Sequence, residues 1–244
     1  MAGDAFGQAG PPVSESAAAQ DFWLENLGEA DKFNRWVLSC FERHLGPSVL
    51  EIGCGSGNFT VLMAGRGHRV TGVDVEPAYV EAARRRVSGF PDTRVSCLDA
   101  TAEEWPEPFD TVVLLDVLEH IERDAELLSR LRRALKPGGK LILKVPAGSW
   151  LLGPMDTAIG HFRRYDKKSL ADTMLSVGLA PVEMSYFNMA STLGWWFNGR
   201  VLRRTVPPSG EIRLFNSLVP VFRAMESVIA PPFGLSLIAV GERR

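Results

Sequence analysis

Val49-Leu50-Glu51-Ile52-Gly53-Cys54-Gly55-Ser56-Gly57-Asn58 is the stretch whose reading decides the fold. The apolar residues before Gly53 suit a central parallel strand covered on both faces. Three glycines at alternate positions then strip the turn of side chains, so that it can adopt positive φ and let a ligand lie against bare backbone. A glycine turn alone is weak evidence. Here it is followed by Val70-Thr71-Gly72-Val73-Asp74, a second apolar strand ending in an acid. That acid is placed to accept hydrogen bonds from a ribose diol.

Two cofactor families use such a turn. The nicotinamide fingerprint is G-x-G-x-x-G, with a pyrophosphate at the helix N-terminus. In this chain Asn58 stands where its third glycine would be, and Glu51 precedes the turn. An acid beside a pyrophosphate repels it, whereas an acid near a sulfonium and an α-amino group attracts them. From Leu45 to Gly178 the chain resembles the class I S-adenosylmethionine-dependent methyltransferases, whose pattern is E-x-G-x-G-x-G. Leu98-Asp99-Ala100 follows a third strand, Arg94 to Cys97. Phe109 to Asp116 looks like the family's fourth strand, and Leu135-Lys136-Pro137-Gly138-Gly139-Lys140-Leu141-Ile142-Leu143 like its turn into the fifth. The resemblance implies S-adenosyl-L-methionine as cofactor, held by Glu51, Gly53, Cys54, Gly55, Gly57, Asn58, Asp74, Val75, Asp99, Ala100, Asp116 and Val117. It also implies an α/β, Rossmann-like sheet of order 3-2-1-4-5-7-6 with helices on both faces and the seventh strand antiparallel.

The 244 residues, 45% of them hydrophobic, are enough for one domain with a full core. A net charge of −2 and the lack of a basic stripe argue against a nucleic-acid partner. Cys40, Cys54 and Cys97 form no C-x-x-C spacing, which fits a reducing compartment rather than a disulfide framework. The first residues lack a basic-then-apolar pattern, and no run reaches the roughly 18 apolar residues of a membrane span. A cytoplasmic protein is the expectation.

Along the chain, residues 1–20 read as a mobile tail of Ala, Gly, Ser and Pro. Residues 21–45 carry apolar side chains at helical spacing and read as one or two helices that either cap the cofactor cleft or simply pack on the sheet. The spacing predicts further helices at Phe59–Gly65, Pro77–Ser88, Arg123–Leu135 and Lys167–Gly178, and a sixth and seventh strand at Pro181–Tyr186 and Leu235–Val240. In the family's minimal core a short hairpin joins those two strands. Here residues 188–233 intervene, a helical insertion divided at Pro207-Pro208-Ser209-Gly210, with Pro220 expected to kink or split its second part. Such an insertion needs a partner surface: a lid over the acceptor pocket, a second copy in a homodimer, or a membrane surface, the last because tryptophans stand beside arginines.

Acceptor-side chemistry is expected in the loops at the carboxyl ends of the strands. Gly160-His161-Phe162-Arg163-Arg164-Tyr165 follows the fifth strand. His161 is a candidate general base for a hydroxyl. Arg163 and Arg164 are candidates to hold an anionic group, and Tyr165 to position an acceptor. The plainer alternative is that His161 and Arg164 tie the loop to Asp156 or to the helix starting at Lys167. A second loop, Asp116-Val117-Leu118-Glu119-His120, resembles the E-x-x-E-H metal motif of ubiquinone-biosynthesis and small-RNA methyltransferases. Its first acid is one methylene shorter, metal-free relatives also carry Glu-His here, and no metal is expected. Trp150, Trp195, Trp196 and Phe197 are candidate walls of an apolar pocket, unless they belong to the core. The expected reaction is O-methylation of a small molecule with an apolar body and a polar or anionic end; C- or N-methylation and a cofactor-binding protein without turnover are the alternatives.

Overall fold

The computed structural model describes residues 30–202, 204 and 209–244. The expected tail, residues 21–29 of the cap and Pro207-Pro208 lie outside them. Seven strands form one sheet in the order β3-β2-β1-β4-β5-β7-β6. They are β1 Ser48–Ile52, β2 Arg69–Asp74, β3 Arg94–Cys97, β4 Phe109–Leu115, β5 Leu135–Pro146, β6 Leu179–Phe187 and β7 Ser236–Arg243. β1 to β5 are parallel; β7 runs antiparallel to both β5 and β6. This is the order and direction that the family resemblance implies.

The central strands are apolar without interruption because successive side chains enter opposite layers, and both layers are covered. Leu50, Ile52, Val112, Leu114, Leu141 and Leu143 share one core with Leu127, Leu128 and Leu131 of a helix at Asp124–Ala134. Val49, Val113 and Ile142 point to the other, with Trp36, Val37 and Phe41. Those three belong to α1, Asp31–Phe41, the part of the expected cap that is described. The following helices are α2 Asn58–Ala64, α3 Pro77–Val87, α4 Asp124–Ala134, α5 Pro154–Ala158 and α6 Lys167–Ser176. α3 opens with proline in its first turn, where no intrahelical N–H is needed, and Glu76 caps it by accepting from the Ala78 amide.

Between β6 and β7 stand α7, Ala190–Trp196, which runs on into a π-helical turn at Phe197–Val201, and α8, Ser209–Val228. α8 runs on through Pro220, so of the two expected outcomes, a kink or a split, the split is not found. Proline removes a single backbone donor, and its neighbours Val219 and Phe222 are fixed by packing against the α1 layer. Phe33 of α1 lies with its ring centroid 5.7 Å from both Phe187 and Phe215, and Phe215 stacks on Phe222 at 5.5 Å. Tertiary contacts outweigh one lost helix bond.

The glycine turn joins β1 to α2. Gly53, Gly55 and Gly57 have φ of 70°, 51° and 84°. A Cβ on Gly57 would stand 3.0 Å from Cβ of Ala83 and 3.1 Å from its Cα, so this glycine lets α3 pack on the turn. Gly57→Ala is therefore expected to destabilise the fold by about 1–3 kcal/mol. Urea denaturation reads the shift, and an unchanged midpoint would show that the turn accepts a side chain.

Candidate functional site

One cavity of about 1050 Å³ runs along the carboxyl ends of the strands. Glu51 lies at the end of β1, Asp74 closes β2, Asp99 follows β3 and Asp116 follows β4, and all four line it. Neighbouring strands thus bring four acids, far apart in sequence, to one edge of the sheet. Asp74 anchors the glycine turn: its Oδ2 accepts from the Gly55 amide at 2.8 Å, and its Oδ1 from the Glu76 amide at 3.0 Å. Each oxygen keeps a further lone pair. Glu51 is buried and accepts from the Thr60 hydroxyl at 2.6 Å. Burial pushes its carboxyl up to about 8, with Thr60 opposing the shift and Asp74 adding to it. The Asp99 carboxylate sits below its ordinary value because Thr101 donates to it through hydroxyl and amide.

Asp116 adopts φ 56°, a left-handed conformation rare for a residue with a side chain. Its carboxylate pairs with Lys144, a buried lysine of β5, at 2.6 Å from Oδ1. Lys144 also lines the cavity. It was missed in the sequence, although one charge within Leu141-Ile142-Leu143-Lys144-Val145 is a signal, since a lysine buried in a strand needs an anionic partner.

The loop after β5 is organised by Asp156, a fully buried carboxylate of α5. Its Oδ1 accepts from His161 Nδ1 at 3.0 Å and from Arg164 Nε at 2.8 Å, and its Oδ2 from the Gly153 amide at 3.0 Å. Burial works against its charge, yet His161 and Arg164 hold it below the usual carboxylate range. With Nδ1 engaged as a donor, the hydrogen-bonding pattern assigns the lone pair of His161 to Nε2. That nitrogen is 3.7 Å from Glu119 Oε1, and the His120 ring meets the His161 ring edge-on at 4.7 Å. Glu119 is fully buried with neither carboxyl oxygen hydrogen-bonded. Burial, then the Asp116 charge, raises it well above the ordinary value. Burial and the neighbouring His161 push His120 down to about 4. Glu119, His120 and His161 bring their ligand atoms within 4.8 Å of one another, a set able to hold a divalent cation.

Of the other residues singled out in the sequence, Gly53, Cys54, Gly55, Asn58, Val75, Ala100 and Val117 line the cavity, as do His120, His161 and Arg164. Gly57 does not; it is buried under α3. Tyr165 is turned away from the cavity: it is buried and its hydroxyl donates to Asp124 at 2.8 Å. Arg163 pairs with Asp124 and donates to the Glu122 carbonyl. Arg164 is buried between Asp156, the Ala147 carbonyl and the Trp195 ring. An anion clamp is not formed by these arginines, because local acids and carbonyls already occupy their donors. Among the four aromatic candidates only Trp195 lines the cavity, while Trp150, Trp196 and Phe197 are exposed. Phe33 of α1, Met155 and Ile159 of the β5 loop, and Phe215 and Phe222 of α8 are among the other apolar residues of the wall.

Residues 50–141 match the family described as a methyltransferase domain. The ubiquinone biosynthesis O-methyltransferase of Idiomarina loihiensis is 34% identical over 154 residues, which are 58% of this chain and 63% of that relative. The chain therefore spans less than two thirds of the relative's length. A TehB-like S-adenosylmethionine-dependent methyltransferase from Corynebacterium glutamicum superposes with a TM-score of 0.58 at 18% identity, covering 96% of this chain and 100% of that one. A [4+2]-cyclase superposes with a TM-score of 0.60 at 18% identity, covering 87% and 80%. Residues 50–141 thus match a methyltransferase domain, and the sheet order 3-2-1-4-5-7-6 with the seventh strand antiparallel is that of the Rossmann-like methyltransferase fold.

Proposed function

We propose that the chain transfers the methyl group of S-adenosylmethionine to a hydroxyl of a small, largely apolar acceptor. The observation that carries the reading is the single cavity, with Glu51, Asp74 and Asp99 towards β3 and the His161–Asp156 pair, Trp195 and Phe222 beyond β4. The donor set suits the cofactor: Asp74 for a ribose diol, Asp99 for an amino group, Glu51 for a cationic end. The cofactor supplies a methyl group made electrophilic by a sulfonium. The chain's own residues position the acceptor, exclude water with apolar walls, and receive the hydroxyl proton at His161 Nε2, the nitrogen that Asp156 leaves free. The relatives' names, which specify O-methylation, support a hydroxyl over carbon or nitrogen.

Asp74→Ala is expected to weaken S-adenosylhomocysteine binding by on the order of 1–3 kcal/mol, the cost of losing hydrogen bonds to a charged acceptor. Calorimetry reads this, and unchanged affinity would remove Asp74 from the site.

Glu51 gives a pH signature. Its raised pKa means that its contribution to stability is complete below the ordinary 4.5 and is lost as the pH rises through about 8. A bound cationic group favours the ionised form, so binding pulls that pKa back down. At pH 7, binding of S-adenosylhomocysteine is expected to release up to one proton, and affinity to climb with pH until about 8. Titration in two buffers of different ionisation enthalpy measures the release, and Glu51→Gln is expected to abolish it. Equal release in that variant would assign the proton to another group.

His161→Ala is expected to slow turnover by about 10²–10⁴-fold with cofactor affinity intact. A second reading, favoured by the unpartnered Glu119 carboxyl, gives Glu119, His120 and His161 to a divalent cation instead. Turnover that disappears on chelation and returns with added Mn²⁺ would establish that reading. A wild-type rate in His161→Ala would exclude both.

A further inference from the structure

We infer that the junction of β6, α7 and β7 is a subsite for a neutral carbonyl oxygen of the acceptor, in addition to the hydroxyl that takes the methyl group. The inference rests on the reading that the acceptor occupies the cavity beyond β4. Among the described residues Asp116 and Asn188 are the two with side chains that adopt positive φ, 56° and 60°, and both line the cavity. Asparagine tolerates this conformation better than most residues, yet it persists only where the surroundings hold it. Asn188 is held on every side. Its amide donates to Glu226 of α8 at 3.2 Å, its carbonyl accepts from the Leu235 amide at 3.2 Å, and its Oδ1 accepts from the Ser191 amide at 3.3 Å. A backbone N–H bonds only to the oxygen of a carboxamide, so the Ser191 contact fixes which way the side chain is turned and leaves Nδ2 as its outward end. Nothing among the described residues accepts from Nδ2. Asn188 is only 4% exposed, yet this nitrogen is not sealed in packed side chains as the nearby Thr192 hydroxyl is, so its opening is onto the cavity. Ser236 adjoins it, opening β7 opposite Pro146 of β5 and Phe187 of β6. Its hydroxyl, like that of Ser191, has no partner among the described residues, and both serines line the cavity.

Three open polar groups beside Phe33, Phe215 and Phe222 call for a ligand atom that satisfies them, since a polar group left dry against an apolar wall is costly. Donor chemistry selects that atom. A carboxamide nitrogen only donates, and a serine hydroxyl donates or accepts, so their shared complement is an oxygen with lone pairs. Asn198 shows the contrast: it lines the same cavity but spends its Oδ1 on Arg204 and its Nδ2 on the Gly194 carbonyl. Charge narrows the choice further. The two cations of the cavity wall are occupied, Lys144 by Asp116 and Arg164 by Asp156 and the Ala147 carbonyl. Directly behind Asn188 stands another carboxyl, Glu226, which accepts from the amides of Asn188 and Met189. A carboxylate at this junction would be buried without a cation, which is unfavourable. The fitting group is therefore the carbonyl of a ketone, ester or amide, and the acceptor class is an apolar molecule with a hydroxyl for His161 and a carbonyl for Asn188 and Ser236.

The test measures, by ligand-observed NMR, the binding of three probes to the full chain saturated with S-adenosylhomocysteine. Acetophenone carries a carbonyl on an apolar ring, ethylbenzene lacks the oxygen, and benzoate carries a charge. Ser236→Ala removes one hydroxyl, and Asn188→Gly removes the amide while keeping the left-handed backbone. Each is expected to weaken acetophenone about three- to tenfold, the usual effect of one hydrogen bond, and to leave ethylbenzene unchanged. Unchanged S-adenosylhomocysteine affinity is the check on folding; if Asn188→Gly fails it, Ser236→Ala reads the subsite alone. Benzoate is expected to bind less tightly than acetophenone. Equal acetophenone affinity in the wild type and Ser236→Ala would overturn the proposal, as would a parallel loss of acetophenone and ethylbenzene. So would tighter binding of benzoate, or no binding of acetophenone to the wild type. No methyl transfer enters the measurement, so a chain that holds acetophenone through Ser236 yet leaves hydroxyls unmethylated fails only the reaction proposed above.

Discussion

A parallel sheet covered on both faces leaves a ligand one approach, the row of strand ends, and the rest of the site follows from that constraint. Ile52 and Leu50 look into the α4 layer and Val49 into the α1 layer, so β1 has no free face to offer. Register then does the assembly. Because β2, β1 and β4 are hydrogen-bonded neighbours, their last residues and the loops beyond them stand side by side, and Asp74, Glu51 and Asp116 meet in one cavity. No long-range side-chain interaction is needed to gather these acids; sheet hydrogen bonds gather them.

Acids brought together in this way repel one another, and the fold offsets the repulsion by different means at each. Asp74 has two backbone amides, Asp116 has Lys144, and Asp156 has His161, Arg164 and the Gly153 amide. Glu51 and Glu119 are deeply buried with no cation hydrogen-bonded to either, and burial raises both carboxyls above the ordinary value. A buried carboxyl kept neutral by desolvation is poised to ionise when a positive charge arrives. A cationic group reaching Glu51, or a metal ion reaching Glu119, would each be such an arrival.

How much of this was legible in the sequence divides by range. The β1 turn and the acids at the strand ends were readable because each is local: a buried apolar run, glycines at alternate positions, an acid at a strand's last residue. Strand order came from resemblance, not from periodicity. What stayed illegible depends on which way a side chain turns among distant neighbours. Arg163 and Tyr165 look like substrate ligands in the sequence, but Asp124 occupies both, whereas the tie from Arg164 to Asp156 is one of the two readings the sequence leaves open. Trp195 and Trp196 are adjacent in sequence, yet about 100° apart around α7, so one enters the cavity and the other faces out. The local cost of Pro220 is legible in the sequence, but not that α8 continues through it with Val219 and Phe222 packed against the α1 layer.

The likeness in fold to a [4+2]-cyclase shows why the sheet cannot decide the chemistry by itself. Methyl transfer to a hydroxyl asks for one further element, a base aimed at the acceptor and held in one tautomer. Asp156 provides that constraint, and it does so through Nδ1, the nitrogen away from Glu119 and His120. If Asp156 served only to pin the loop, its bond to Arg164 and the Gly153 amide would suffice, and an apolar residue at position 161 would leave less polarity buried. Instead an imidazole stands with one nitrogen fixed and the other turned towards the buried Glu119 carboxyl and a second imidazole. Such an arrangement is costly to bury and does little for packing, which is the physical argument behind proposing His161 as the base.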